Sequence, residues 1–277
     1  MRRRQKQMNK KMLSLPYLFW CAAFILIPLA MVFYYGFTDK TGAFTLENIL
    51  AIATPEHFKA LRISILLSLI ATVVCLLLAY PLAMILARME VNTHSFIVLI
   101  FILPMWMNFL LRTMAWQTLL EKNGVINSVL SFLHLPSLNL INTPGAIILG
   151  MVYNFLPFMV LPIYNSLTKI DQNVINAARD LGANSVHTFF KITLPLSLPG
   201  VISGITMVFV PALTTFVIST LLGGSKILLI GNVIEQEFTQ TGNWHLGSGL
   251  SMVLMLFIIV NMVLSAIFYK EGEANAL

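Results

Sequence analysis

With 277 residues, 58% of them hydrophobic and only 10% charged, and a mean hydropathy of +0.85, the chain has too few polar groups to coat a water-soluble body of its size. Much of its surface must therefore face lipid. The net charge of +6 does not signal nucleic acid, because six of the 17 Lys and Arg residues (Arg2, Arg3, Arg4, Lys6, Lys10 and Lys11) crowd directly before an apolar run, as a topology determinant at anionic headgroups does.

Six apolar stretches follow in order: Leu13 to Phe37, Leu61 to Ala87, Ser95 to Leu119, Thr143 to Thr168, Leu196 to Leu222 and Leu246 to Tyr269. Each approaches the roughly 20 residues that cross a hydrocarbon core. Every backbone N–H and C=O must be paired inside lipid, and runs this continuous lack the alternation of barrel strands, so the spans are predicted as helices. The expected fold is all-α, with a basic N-terminus over 1–12, one six-helix transmembrane domain over 13–269 and a short tail over 270–277. The first stretch carries an apolar run of about 24 residues, longer than a signal-peptide core, and is expected to be a retained span. Eleven Lys and Arg residues fall on the side of the N-terminus and six on the other, which places both termini in the cytoplasm.

Cys21 and Cys75 lie in apolar runs without disulfide or metal spacing. Pro81, Pro104, Pro157, Pro162 and Pro211 remove backbone bonds within or near spans, while Gly200 and Gly204 form a small-xxx-small pair suited to close helix approach. Both patterns fit plain packing; kinked helices lining a path are the second reading. Between the third and fourth spans, Asn123 to Asn142 is amphipathic at helical spacing, with Val125, Ile126, Val129, Leu130 and Leu133 on one side.

The longest loop on the N-terminal side, Lys169 to Pro195, carries the clearest local signals. Asp171 is placed to cap a helix starting at Gln172, and Gly182 to end it in a left-handed conformation. Ser185 is placed to cap a second short helix, which Pro195 should stop. Two short helices at a glycine elbow, displaying Val186, Phe189 and Phe190, form a docking surface rather than a solvated linker.

The spacing Ala177-Ala178-x3-Gly182-x9-Ile192-x-Leu194-Pro195 resembles the EAA loop of permease subunits in ABC importers, with Asn176 where that family has a leading Glu. The resemblance covers roughly Leu13 to Tyr269. It implies that Ala177, Ala178, Asp180, Gly182 and Phe189 couple the membrane helices to a cytoplasmic ATPase, without a salt bridge from the missing Glu. Three further segments are similar to spermidine/putrescine permease subunits: Pro104 to Trp116, including Trp106, Asn108 and Arg112; Gly150 to Phe158, including Tyr153 and Asn154; and Gly223 to Val233. The implied assembly has a second, different permease subunit, an ATPase homodimer and an extracellular or periplasmic substrate-binding protein, in the cytoplasmic (inner) membrane. No cofactor is expected on this chain; ATP is hydrolysed by the partner.

A polycation needs carboxylates, aromatic faces or carbonyls along its path. No Asp or Glu lies in the middle of a span. Glu235 and Glu237, near Trp244 in the loop before the last span, are either path residues or an ordinary solvated loop. Trp106, Asn108, Trp116, Tyr153 and Asn154 are the other path candidates, the tryptophans being equally suited to interfacial anchoring. Arg112 either snorkels outward or holds a carboxylate across a subunit interface. Histidines 57, 94, 134, 187 and 245 show no metal spacing, and no phosphate-cradling loop or catalytic constellation appears. The alternatives are an importer for another small solute and, with less support, an ion-coupled carrier, which generally shows mid-membrane ionisable groups and inverted repeats.

Overall fold

The computed structural model describes residues 15–89 and 105–274. Among these the chain is all-helical, with one isolated antiparallel bridge between Thr38 and Phe44. The elements used below are α1 (Leu15–Gly36), α2 (Pro55–Arg88), α3 (Phe109–Leu120), α4 (Val125–Phe132), α5 (Pro144–Leu167), α6 (Gln172–Asp180), α7 (Ser185–Thr214), α8 (Val217–Gly223), α9 (Ile230–Thr239) and α10 (Trp244–Ala274).

Five of these helices, α1, α2, α5, α7 and α10, are long and apolar enough to cross a membrane. The third predicted span, from Ser95, falls partly outside the described residues, as do Pro104 and the basic cluster of the first eleven positions. Its described remainder is α3. The fifth predicted span differs from expectation at both ends. The helix begins in the loop at Ser185, and it stops at Thr214, where Thr215 turns extended; Val217–Gly223 is a separate short helix.

The chain divides into two compact units. Phe58–Val233 with Phe257–Leu277 holds the larger core, built on α2, α5 and α7. α5 and α7 cross closely, because two glycines leave room for the approach. A Cβ on Gly200 would lie 2.6 Å from the carbonyl oxygen of Pro162, and one on Gly204 would lie 2.7 Å from Sδ of Met159. Lipid tails are as apolar as Leu, so helix association in a membrane relies on this kind of van der Waals approach. Hydroxyls add polar ties: the buried Tyr80 and Ser197 are 2.7 Å apart between α2 and α7, and the half-buried Thr206 donates to Ser265 at 2.8 Å.

A second feature of this unit is the segment entering α9. Asn232, 3% exposed, accepts from Ser219 Oγ and from the Leu229 N–H (3.1 Å), and its Nδ2 donates to Phe216 O (3.1 Å) and Thr220 Oγ1 (2.8 Å). The neighbouring Ile230 N–H donates to Ser64 Oγ on α2 at 2.8 Å. All of the amide's bonding capacity is used, which the low dielectric of the interior demands. In α4, Asn127 plays a similar part: its Oδ1 accepts from Leu138 N (2.8 Å) and its Nδ2 donates to Glu121 O and Leu138 O. The amphipathic segment predicted over 123–142 is thus a short helix tied to its own return loop.

The other unit, Met1–His57 with Ile234–Leu256, is held by polar contacts on the turn after α1. Asn48 Nδ2 donates to Thr38 O at 2.9 Å, and His245 Nδ1–H donates to the same carbonyl at 2.6 Å. Gly249 has no room for a side chain, since a Cβ there would meet Asn48 O at 2.4 Å. The turn itself is organised by Asp39, whose Oδ1 accepts from Thr41 Oγ1 (2.6 Å), Thr41 N (2.8 Å) and Ala43 N (2.9 Å).

Candidate functional site

The loop between α5 and α7 folds much as its caps predict. Asp171 accepts from Asn173 N at 2.9 Å and starts α6 at Gln172. Gly182 ends it with φ +86°, a conformation that costs an L side chain about 1–2 kcal/mol, and nothing lies within 4 Å of where its Cβ would be. The cap of the following helix is Asn184 rather than Ser185: Asn184 Oδ1 accepts from His187 N at 2.8 Å.

Pro195 does not stop this helix. One π-helical turn over Phe189–Thr193 widens the backbone spiral just before it, and the helix continues from Ser185 to Thr214. A π turn already displaces the regular donor–acceptor ladder, so the missing proline N–H and its ring are accommodated there. The loop is therefore mechanically continuous with a membrane helix.

What the loop displays also differs from expectation. Leu181 (90% exposed), Val186 and Phe190 point outward. Phe189 is turned inward, edge-on to Tyr80 with ring centroids 5.6 Å apart, and Tyr80 is anchored by its contact with Ser197. Ala177 and Asp180 are exposed and Ala178 is half-buried on α6. The loop has an apolar outward edge beside polar backbone groups, which suits insertion into a cleft of another protein.

The candidate path residues fall in both units. On α3 and α5, Trp116 and Tyr153 meet edge to face at 5.3 Å, with Tyr153 39% exposed and Trp106 strongly exposed. Asn108 is a helix cap: its Oδ1 accepts from Leu110 N (2.9 Å) and Leu111 N (3.2 Å) and starts α3 in the middle of the predicted third span. Asn154 is buried, its Nδ2 giving a 2.9 Å bond to Gly150 O and a 3.5 Å contact to Thr113 Oγ1. Arg112 does not snorkel. It is 7% exposed, and its buried Nε has no partner. In the other unit Glu235 and Glu237 are not in a loop but on α9, half-buried, where they accept from Thr239 Oγ1 (2.9 Å) and Thr241 Oγ1 (2.8 Å). Trp244 packs against Phe238 beside them.

The Asn232 cluster was not foreseen as a structural centre. Its signal was a lone asparagine in the apolar run from Ile227 to Val233. Among the described residues, no group of three or more His, Cys, Asp or Glu side chains is placed to hold a metal.

Residues 12–270 match the family described as binding-protein-dependent transport system inner membrane component. The spermidine/putrescine transport system permease protein PotB of Escherichia coli is 36% identical over 266 residues, covering 92% of this chain and 97% of that protein. Its Haemophilus influenzae counterpart is 37% identical over 253 residues, covering 87% and 88%. A solved structure of a bacterial ABC transporter involved in the import of the acidic polysaccharide alginate superposes with a TM-score of 0.81 at 16% identity, covering 97% of this chain and 96% of that one. The inward-facing MetNI methionine ABC transporter gives a TM-score of 0.57 at 17% identity over 79% of this chain. At these identities the structural likenesses speak to fold.

Proposed function

Because the chain belongs to the binding-protein-dependent transport system inner membrane component family, we propose that this multi-pass membrane protein is one of two different permease subunits of an ATP-driven polyamine importer, carrying spermidine or putrescine. The observation that carries the substrate class is the 36–37% identity to the two PotB proteins over nearly the whole of both chains. In this reading six spans cross the cytoplasmic (inner) membrane with both termini inside. An ATPase homodimer docks on the loop displaying Leu181, Val186 and Phe190, and an external binding protein delivers solute to the opposite face.

Alternating access follows from that arrangement. ATP closes the ATPase dimer, the loop moves with it, and the continuous α7 carries the movement into the membrane. Aromatic faces at Trp106, Trp116 and Tyr153 offer weak cation–π contacts to a passing ammonium group, while high affinity stays with the external protein. In the other unit Glu235 and Glu237 offer half-buried carboxylates of their own, and the second permease supplies further contacts.

The test is uptake of radiolabelled spermidine and putrescine into proteoliposomes holding the co-purified complex, with the binding protein outside and ATP inside. Gly182→Val strains the loop without a steric clash, so it should abolish ATP-driven uptake while polyamine binding to the external protein persists. Uptake that needs no ATP would replace the importer with a carrier. Binding-protein-stimulated ATP turnover with no polyamine entry would keep the importer and discard the substrate.

A further inference from the structure

At the end of α2 a cavity of about 300 Å³ opens between that helix and the loop helices α6 and α7. Its floor is apolar, made by Met84, Leu167, Ile175 and Phe189 among others, and two guanidinium-bearing residues, Arg88 and Arg179, stand at its walls. Ser185 and Gln172 add neutral polar groups, and no carboxylate is among the described lining residues. Neither arginine forms an ion pair with a described residue. Each lies in the last turn of its helix, where a cation is favourable in any case. The helix ends alone do not explain why both converge on one cavity with no counter-charge.

The position of Arg88 along α2 locates this cavity in the membrane. From Arg62 to Arg88 the helix rises about 39 Å, close to the thickness of a bilayer including its headgroup regions. Between them, Leu69, Val73, Leu77 and Ile85 are exposed apolar residues spaced four or eight apart, and Arg88 follows on the same broad face. One surface therefore runs from an apolar face, suited to acyl chains, into a basic pocket at headgroup depth. Basic pockets beside transmembrane helices at the membrane boundary are where anionic lipid headgroups bind.

We propose that this cavity binds the phosphate of an anionic glycerophospholipid, whose acyl chains lie along the outward face of α2. Arginine suits the role because its planar fork matches a phosphate with two parallel bonds. A zwitterionic lipid is disfavoured because its ammonium group finds no carboxylate among the lining residues. A free anion would leave the apolar floor without a use. The bound lipid bridges the end of α2 to both arms of the loop, so it braces the loop against the membrane domain, and it shares Val186 and Phe190 with the edge proposed to meet the ATPase. This inference rests on the membrane location of the chain and is independent of the solute carried.

The test is native mass spectrometry of the full chain in detergent, titrated with phosphatidylglycerol and, separately, phosphatidylcholine. Wild type should retain phosphatidylglycerol at concentrations where phosphatidylcholine is lost. Arg88→Gln with Arg179→Gln should weaken phosphatidylglycerol binding roughly thirtyfold, toward the phosphatidylcholine level. Arg88→Lys with Arg179→Lys should keep most of the preference, and Lys59→Gln with Arg62→Gln, at the other end of α2, should leave it intact. Equal retention of the two lipids by wild type, or unchanged phosphatidylglycerol binding in the double glutamine variant, would overturn the site. Displacement by millimolar inorganic phosphate would overturn the lipid in favour of a free anion.

Discussion

Adding one methyl group at Gly200 tests the α5–α7 crossing directly. In Gly200→Ala the new Cβ would lie 2.6 Å from both Pro162 O and Ser166 Cβ and 3.1 Å from Ile163 Cα. Favourable carbon contacts lie near 3.5–4.0 Å, so the helices must part by roughly 1 Å, enough to forfeit a quarter to a half of the dispersion well at each neighbouring contact. No rotamer relieves the strain, because the opposing atoms are backbone or Cβ. Overpacking of this type costs about 1–3 kcal/mol, while replacing glycine with alanine in a helix returns about 0.8–1.0 kcal/mol of propensity. Three unyielding contacts place the overpacking cost in the upper part of that range, about 2–3 kcal/mol, so a net loss of about 1–2 kcal/mol is expected, which lowers a thermal midpoint by roughly 2–8 °C. Cys75, fully buried in the core, reports unfolding through a fluorogenic thiol-reactive dye once Cys21 is replaced by serine. Gly145→Ala is the control: its Cβ meets only Thr143 Oγ1 at 3.7 Å, so its midpoint should hold or rise. A Gly200→Ala midpoint equal to wild type, with Gly145→Ala behaving as stated, would refute so close a crossing.

Three further outcomes are expected. Asn232→Leu strands the Leu229 N–H in the interior, while the Phe216 carbonyl keeps its bonds from Thr220 and Ser219, and should cost about 1–3 kcal/mol in the same melt; a shift below about 0.5 kcal/mol would show that the network is dispensable. The bond from the Thr41 hydroxyl, ahead of the backbone N–H bonds, holds the Asp39 carboxyl below the usual carboxylate range against the opposing effect of burial. A depressed folded pKa means that Asp39 supports the turn above its unfolded pKa and loses that support as pH falls through the folded value. Hydrogen exchange at the Ala43 amide should therefore accelerate only in acid, beyond intrinsic rates, and Asp39→Ala should remove that dependence. Arg112→Met replaces a buried guanidinium whose Nε has no partner, and should leave the midpoint of the isolated chain unchanged or higher. A fall of more than about 1 kcal/mol would reveal a counter-charge.

Where the chain's own local chemistry decides an element, the sequence was a good guide. The N-cap at Asp171, the left-handed Gly182 and the glycine pair of α7 each need only a few neighbouring residues to be recognised, and each stands where expected. The misreadings came from features that nonlocal packing sets. Pro195 looked like a terminator because a regular α-helical ladder has no place for it; the preceding π turn supplies one, and no propensity announces a π turn. Phe189 looked displayed because the loop is exposed, yet Tyr80, more than a hundred residues earlier, offers its ring a seat. Glu235 and Glu237 read as loop because α9 is short and only half apolar, while its start is pinned from outside by Ser64 on α2. Arg112 was the reverse case: a charge among leucines suggested escape to the surface, and the fold instead encloses it.

The continuity of α7 through the crossing at Gly200 and Gly204 sets the leverage available to the loop. Taking the crossing as a pivot, about 17 residues, or roughly 26 Å, lie on the loop side, and about 12 residues, or roughly 18 Å, lie beyond it. A seesaw with arms of this ratio reverses the sense of a push and delivers it at roughly two-thirds of the distance with correspondingly greater force. In the proposed pair of permease subunits, drawing the loop ends together would then spread the far ends apart.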